Sequence, residues 1–66
     1  MGFNQILRET RENKNLSLSQ LAEKVGVSKQ ALHGYEKGFL TPRPVVLVEI
    51  AKALEVSTDY LLGMEQ

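Results

Sequence analysis

Two short segments with helical spacing are separated by only three residues, 26–28, and this connection constrains the fold more than any other feature. In the first segment one helix face is apolar, with the i, i+3, i+4, i+7 positions filled by Leu18, Leu21, Ala22 and Val25. In the second segment the positions expected to be buried are Ala31, Leu32 and Tyr35. A connection this short forces the two helices to cross steeply.

The residues around this connection satisfy what a steep crossing requires. Ala22 is small where the two helices touch, and Gly26 can take the positive φ that the turn needs. The wedge between the helices can be filled by Leu21, Val25, Val27, Leu32 and Tyr35. The pattern therefore predicts a helix-turn-helix, with Ser28 capping its second helix from about Lys29 to Lys37.

Three further helices are predicted around this pair. The first opens with Phe3, Ile6 and Leu7 and runs to about Lys14, and either Ser17 or Ser19 caps the second. A fourth begins at Pro44 and buries Leu47, Ile50, Ala51 and Leu54. A short fifth helix follows Ser57 and runs to about Leu62. The 66 residues allow one small domain, 1–66, which we expect to be all-α.

Composition excludes several classes of protein. The chain has no cysteine, so a disulfide scaffold and a thiolate metal site are excluded. The longest apolar run, Val45 to Val48, is far shorter than the roughly 20 residues of a membrane span, and the N-terminus does not resemble a signal peptide. We therefore expect a cytosolic protein that has no membrane partner.

An enzymatic function is not expected. Ser28 and His33 form the one plausible nucleophile–base pair, yet five residues at ~100° each place them about 140° apart around a helix. Glu9 and Glu12 are typical of a solvated helix face. We also expect no cofactor, no metal and no small-molecule ligand, because the chain has one histidine and no glycine-rich phosphate loop.

The net charge of zero hides an uneven distribution. Residues 28–43 carry Lys29, Lys37 and Arg43 against Glu36, whereas residues 44–66 carry one lysine against four acidic residues. The middle of the chain is therefore mildly basic and its last third is acidic.

Two stretches carry a family resemblance that extends over nearly the whole chain. They are LSLSQLAEKVGVSKQALHGYEKG (16–38) and TPRPVVLVEIAKALEVSTDYLLG (41–63). The sequence resembles the Cro/repressor-type helix-turn-helix proteins, the XRE family of prokaryotic and phage regulators. The resemblance implies a compact five-helix, lambda-repressor-like domain with its helix-turn-helix at about 17–37. It also implies a repressor-like regulator of transcription that docks its third helix in the DNA major groove. Because one such helix contacts only a few base pairs, we further expect a dimer on a palindromic operator.

On the third helix the outward positions are expected to be Ser28, Lys29, Gln30, His33, Gly34 and Lys37. Gln30 matches the position where the family usually contacts bases, and its amide suits adenine N6 and N7. Lys37 and in part His33 are equally consistent with a solvated surface. Phosphate contacts are expected from Gln20, Thr41 and Arg43 and from the backbone at the start of the second helix.

The chain departs from the family pattern at three positions. Leu18 replaces a glutamine that often contacts phosphate, Gly34 replaces a long side chain, and Glu55 replaces a glycine that ends the fourth helix. The lost glutamine and the zero net charge favour an alternative function, in which the fold mainly binds protein, as an antitoxin or anti-repressor does.

Two further expectations concern packing. The resemblance implies an ion pair between Arg11 and Glu36, which would hold the third helix against the first. Candidates for a dimer interface are Leu61, Leu62 and Met64, although Leu61 and Leu62 are equally consistent with the core.

Overall fold

A computed structural model describes residues 2–65 and contains five α-helices in that range, without a strand. The helices are α1 (Phe3–Asn13), α2 (Leu18–Val25), α3 (Lys29–Lys37), α4 (Pro44–Leu54) and α5 (Thr58–Leu61). The all-α, five-helix prediction is confirmed. None of the helices in residues 2–65 is long and apolar enough to cross a membrane.

Serine side chains begin three of the helices. Ser17, not Ser19, caps α2 in a reciprocal capping box, because its Oγ accepts from Gln20 N at 3.0 Å while Gln20 Oε1 accepts from Ser17 N at 2.8 Å. Ser28 caps α3 by accepting from Ala31 N at 3.0 Å, and Ser57 caps α5 in the same way. These caps fix where α2 and α3 begin and so define the turn between them.

The turn between α2 and α3 has the predicted geometry. Gly26 ends α2 in the left-handed region with φ 88°, which a residue without a Cβ adopts at no steric cost. Leu21, Ala22 and Leu32 are buried in the wedge, and Val25 and Val27 pack against them half-buried. α3 contacts both α1 and α2, and α2 also packs against α4. The ends of the core are closed by α4 and α5 through Ile50, Leu54 and Leu61, none of which is exposed.

A buried ion pair connects α1 to α3. Arg11 Nε donates to Glu36 Oε2 at 2.7 Å and Arg11 Nη2 donates to Glu36 Oε1 at 3.1 Å, which is the bidentate geometry of a guanidinium and a carboxylate. The two side chains are only 11% and 3% exposed. The hydrogen bonds that Arg11 donates to Glu36 raise the pKa of Arg11 above its ordinary value, against the opposing effect of burial. The expected pairing of Arg11 with Glu36 is confirmed.

The C-terminus of α4 is strained where the family pattern has glycine. Glu55 takes φ 59° and ψ 41°, a left-handed conformation that costs a residue with a side chain roughly 1–2 kcal/mol. Its side chain is exposed and makes a long ion pair with Lys14 at 3.7 Å. This pair compensates little, because exposed ion pairs contribute under about 1 kcal/mol.

A double-mutant cycle tests the Arg11–Glu36 pair. Arg11→Met and Glu36→Leu should each lower the free energy of unfolding by about 3 kcal/mol, because each leaves a buried charge without its partner. The double variant should lose far less than the two losses added together, as measured by urea denaturation. The exposed pair of Lys52 and Glu49, 3.5 Å apart, is the matched control and should show coupling below about 0.5 kcal/mol. A coupling at Arg11–Glu36 no larger than this control would contradict the prediction.

A second variant tests the strain at the end of α4. Glu55→Gly should raise the free energy of unfolding by about 1 kcal/mol, since relief of the left-handed strain exceeds the added entropy of the unfolded chain. Thermal unfolding would then shift upward by roughly 4–8 °C. Glu55→Ala is the control, because it removes the ion pair with Lys14 and keeps a Cβ in the strained conformation. An equal gain in both variants would show that the carboxylate, and not the backbone, is unfavourable.

Candidate nucleic-acid interface

The outer face of α3 is polar and solvent-exposed. Its exposed residues in the structure are Ser28, Lys29, Gln30, His33 and Lys37. The Ser28 hydroxyl accepts a hydrogen bond from Ala31 N, so its own proton remains available for donation to another group. Gln30 lies in the first turn of α3, where a side chain can reach outward beyond the helix start. The face therefore offers amide, hydroxyl and ammonium donors along two turns of one helix.

Gly34 was expected to be exposed on this outer face, and that expectation is wrong. Gly34 is buried because the side chain of Leu40, from the loop after α3, lies over it. A Cβ atom at Gly34 would lie 2.7 Å from Leu40 Cδ1 and 2.9 Å from Leu40 Cγ, so only glycine fits beneath the leucine as it stands. Gly34 therefore exposes no surface of its own, and Leu40 occupies the place of its missing side chain.

The N-terminus of α2 lies beside this face. Leu18, the first residue of α2, is half-buried against the core, and Gln20 is exposed. Gln20 Oε1 is engaged in the capping box, which leaves the amide NH₂ group to donate elsewhere. Leu18, Lys29, Gln30 and His33 line an open concavity of about 360 Å³. An apolar side chain thus forms the floor of the cleft between the two helix starts, where the family pattern has glutamine.

The loop between α3 and α4 contributes further exposed groups. Thr41 and Arg43 are both exposed, and Arg43 is the N-cap residue of α4 without using its side chain for the cap. Phe39 and Leu40 in the same loop are 78% and 50% exposed. Neither of these two residues was identified from the sequence. The sequence feature that could have indicated Leu40 is the glycine at position 34, because it leaves a space on α3 that a nearby apolar side chain can fill.

The cations of segment 28–43 make no ion pair within residues 2–65, and the same is true of Arg8 and Lys24. Among residues 2–65, Lys29, Lys37 and Arg43 have no acidic partner within ion-pair distance, whereas Lys14 and Lys52 pair with Glu55 and Glu49. Glu36, the acidic residue of segment 28–43, is buried and bonded to Arg11. The exposed surface of this segment is therefore more positive than its sequence charge indicates.

The C-terminal candidates for an interface divide into two groups. Leu61 is fully buried in the core, so its candidacy as an interface residue is wrong. Leu62 and Met64 are 45% and 68% exposed. The difference arises because Leu61, the last residue of α5, is buried where this helix packs against α4 and α1. Leu62 follows the end of the helix and remains exposed.

Comparison with known protein families assigns the chain to one of them. The helix-turn-helix family HTH_3 matches residues 7–61, and the chain belongs to this family. It is 42% identical over 60 residues to YobD of Bacillus subtilis (strain 168), an uncharacterized HTH-type transcriptional regulator, covering 91% of this chain and 54% of that protein. The chain spans about half the length of the curated relatives it matches.

Solved structures agree with this assignment. The P22 c2 repressor in complex with a synthetic operator superposes with a TM-score of 0.93 at 29% identity, covering 98% of each chain. SinR of Bacillus subtilis in complex with DNA superposes with a TM-score of 0.84 at 35% identity, covering 89% of this chain and 95% of that one. These similarities confirm the lambda-repressor-like fold and the family expected from the sequence. The relatives are described as transcriptional regulators, a class that agrees with the expectation of a non-enzymatic protein.

Proposed function

We propose that the chain is a sequence-specific, double-stranded-DNA-binding regulator of transcription of the repressor type. The observation that carries the proposal is the exposed face of α3, whose lysines lack acidic partners within residues 2–65 while the neighbouring Glu36 is neutralised by Arg11. A helix of this diameter fits the major groove, which presents a distinct donor and acceptor pattern for each base pair. The matches to the P22 c2 repressor and to the regulator SinR, each solved in complex with DNA, support the same function.

In this proposal the contacts divide into two classes. Gln30 bonds an adenine edge, and Lys29 and Ser28 donate to base or phosphate oxygens. The backbone N–H groups at the start of α2, with the amide of Gln20, bind one phosphate. Thr41 and Arg43 bind another, next to the start of α4. Lys37 and His33 lie at the edge of the face and contribute charge or water-mediated contacts.

The protein is proposed to bind as a symmetric dimer on a palindromic operator. One copy of α3 contacts only a few base pairs, so two copies must bind half-sites about 34–36 Å apart on one face of the duplex. The principal extents of this domain are 29 × 23 × 19 Å, so two copies at that spacing are close enough for surface side chains to meet. Exposed apolar residues such as Leu62 and Met64 suit that contact. A regulator of this kind acts at the nucleoid in the cytoplasm, with residues 1–66 as one DNA-binding unit.

A second candidate function is binding of another protein through the same fold. It is favoured by the exposed apolar residues near the interface, above all Phe39, and by Leu18 in place of a polar residue. Salt-dependent binding to random duplex DNA distinguishes the two functions, because counterion release accompanies any use of this face on DNA. Absence of binding to any duplex at low salt would favour the protein-binding function.

Two substitutions on the interface should have different effects on DNA binding. Arg43→Ala should weaken binding to all sequences alike and reduce the slope of log K against log salt by about 0.9 per copy, since one phosphate contact is lost. Gln30→Ala should instead relax base preference at one position of each half-site, by about 1–3 kcal/mol of discrimination. Lys52→Ala is the control, because Lys52 pairs with Glu49 away from this face. A change of base preference in Arg43→Ala would show that the loop contacts bases and not phosphate.

The dimer is tested by sedimentation on a duplex selected from a random library. Two chains per palindromic duplex are expected, with binding that is cooperative between the half-sites. Replacing Leu62 and Met64 together by serine should reduce this cooperativity and leave the affinity for an isolated half-site unchanged. One chain per full duplex at saturation would contradict the dimer.

A further inference from the structure

The side chain of Leu40 is held on α3 as if it belonged to the helix. The carbonyl of Gly34 accepts hydrogen bonds from Phe39 N at 2.9 Å and from Leu40 N at 3.2 Å, which fix the loop against the last turns of α3. The isobutyl group then lies over Gly34, with Cδ1 and Cγ in the space that a side chain at this position would fill. Since Leu40 is still 50% exposed, its outer half is available to a partner.

The position of Leu40 extends the face that carries Gln30. Gln30 and Gly34 are four residues apart in α3, so they lie on the same side of the helix one turn apart. Leu40, which covers Gly34, therefore lies about one helical turn beyond Gln30 on this side of α3. This side of α3 therefore carries the polar amide of Gln30 and, one turn later, the apolar side chain of Leu40.

We propose that Leu40 determines specificity by packing against the C5-methyl group of a thymine in the major groove. This inference rests on the proposed DNA-binding function and names a contact within it. The thymine methyl is the apolar group that a base pair exposes in the major groove, whereas phosphates and the other base edges require donors or acceptors that leucine lacks. Leucine gains free energy only from burial against an apolar partner, so a methyl group is the feature of DNA that it can distinguish.

The contact between Leu40 and the thymine methyl group lies about one base pair beyond the base bound by Gln30. A helical turn rises 5.4 Å and DNA rises about 3.4 Å per base pair, so neighbouring positions on α3 meet neighbouring base pairs. The chain thereby replaces the long side chain that the resembling family has at position 34 by an apolar contact from the loop. Half-sites with thymine at that position are favoured over those with cytosine or with uracil.

The test exchanges thymine for 2′-deoxyuridine, which removes the methyl and leaves every hydrogen-bonding group in place. Duplexes selected by the wild-type chain from a random library are resynthesised with each thymine replaced in turn. At one thymine per half-site, replacement should weaken binding about fourfold, and replacement in both half-sites about fifteenfold, as expected for burial of one methyl group. Leu40→Ala should bind the thymine duplex more weakly and no longer distinguish it from the deoxyuridine duplex.

Two further variants separate this role from a general one. Gly34→Ala keeps Leu40 but displaces its side chain from the position over α3, because the new Cβ would be 2.7 Å from Cδ1, so the discrimination should fall here as well. Val48→Ala, which removes an exposed apolar side chain from α4, should keep the full discrimination. Circular dichroism melting curves verify that each variant is folded.

Different outcomes overturn different statements. If the wild-type chain binds selected duplexes and no thymine methyl matters, or if the sensitivity to deoxyuridine persists in Leu40→Ala, the role of Leu40 is overturned while the proposed function stands. If the wild-type chain binds no duplex, the proposed function fails and the inference fails with it. Loss of discrimination in both Leu40→Ala and Gly34→Ala, with retention in Val48→Ala, supports the inference.

Discussion

The guanidinium of Arg11 is the interaction on which the orientation of α3 depends. Two of its nitrogens bind the Glu36 carboxylate, and a third, Nη1, donates to the Leu16 carbonyl at 2.8 Å, just before α2 begins. One side chain thus connects α1, α3 and the entry to α2. Because a buried charge is costly unless all its donors are satisfied, this arrangement is stable only when the three segments are in one relative position. The exposed face of α3 is set by that requirement as much as by apolar packing.

The helices themselves follow from local sequence, which is why they could be predicted. The i, i+3, i+4 spacing of α2 and α4, the serines at 17, 28 and 57 and the glycine at 26 each determine a structure within a few residues of chain. The choice between Ser17 and Ser19 needed further information, because the side chain of either serine can cap a helix. The glutamine three residues after Ser17 decides it by closing a capping box. The ion pair of Arg11 and Glu36 joins residues 25 positions apart, and only the family resemblance indicated it.

The features that sequence reasoning missed depend on loop conformation and helix phase. Periodicity places Gly34 outward on α3, but it cannot report that a side chain from six residues later folds back over it. The prolines at 42 and 44 restrict the loop without determining where Leu40 points. Leu61 and Leu62 are adjacent and chemically identical, and a helix of four residues is too short for periodicity to distinguish them. In both cases a contact distant from the local pattern decides which side chain is exposed.

The zero net charge of the chain illustrates why a sum is a poor guide to a binding surface. Several acidic residues are compensated locally: Glu36 is buried with Arg11, and Glu49 and Glu55 pair with Lys52 and Lys14 in a concavity separate from the one beside α3. Near the surface a charge is felt over about 10 Å at ordinary ionic strength, so the acidic residues of the far side do little to cancel Lys29 and Arg43 locally. The surface around Lys29 and Arg43 is therefore more positive than the net charge of zero indicates. A neutral domain with one positive face is attracted to phosphates mainly when the face of α3 is turned toward them. This favours an oriented encounter with DNA over indiscriminate electrostatic binding.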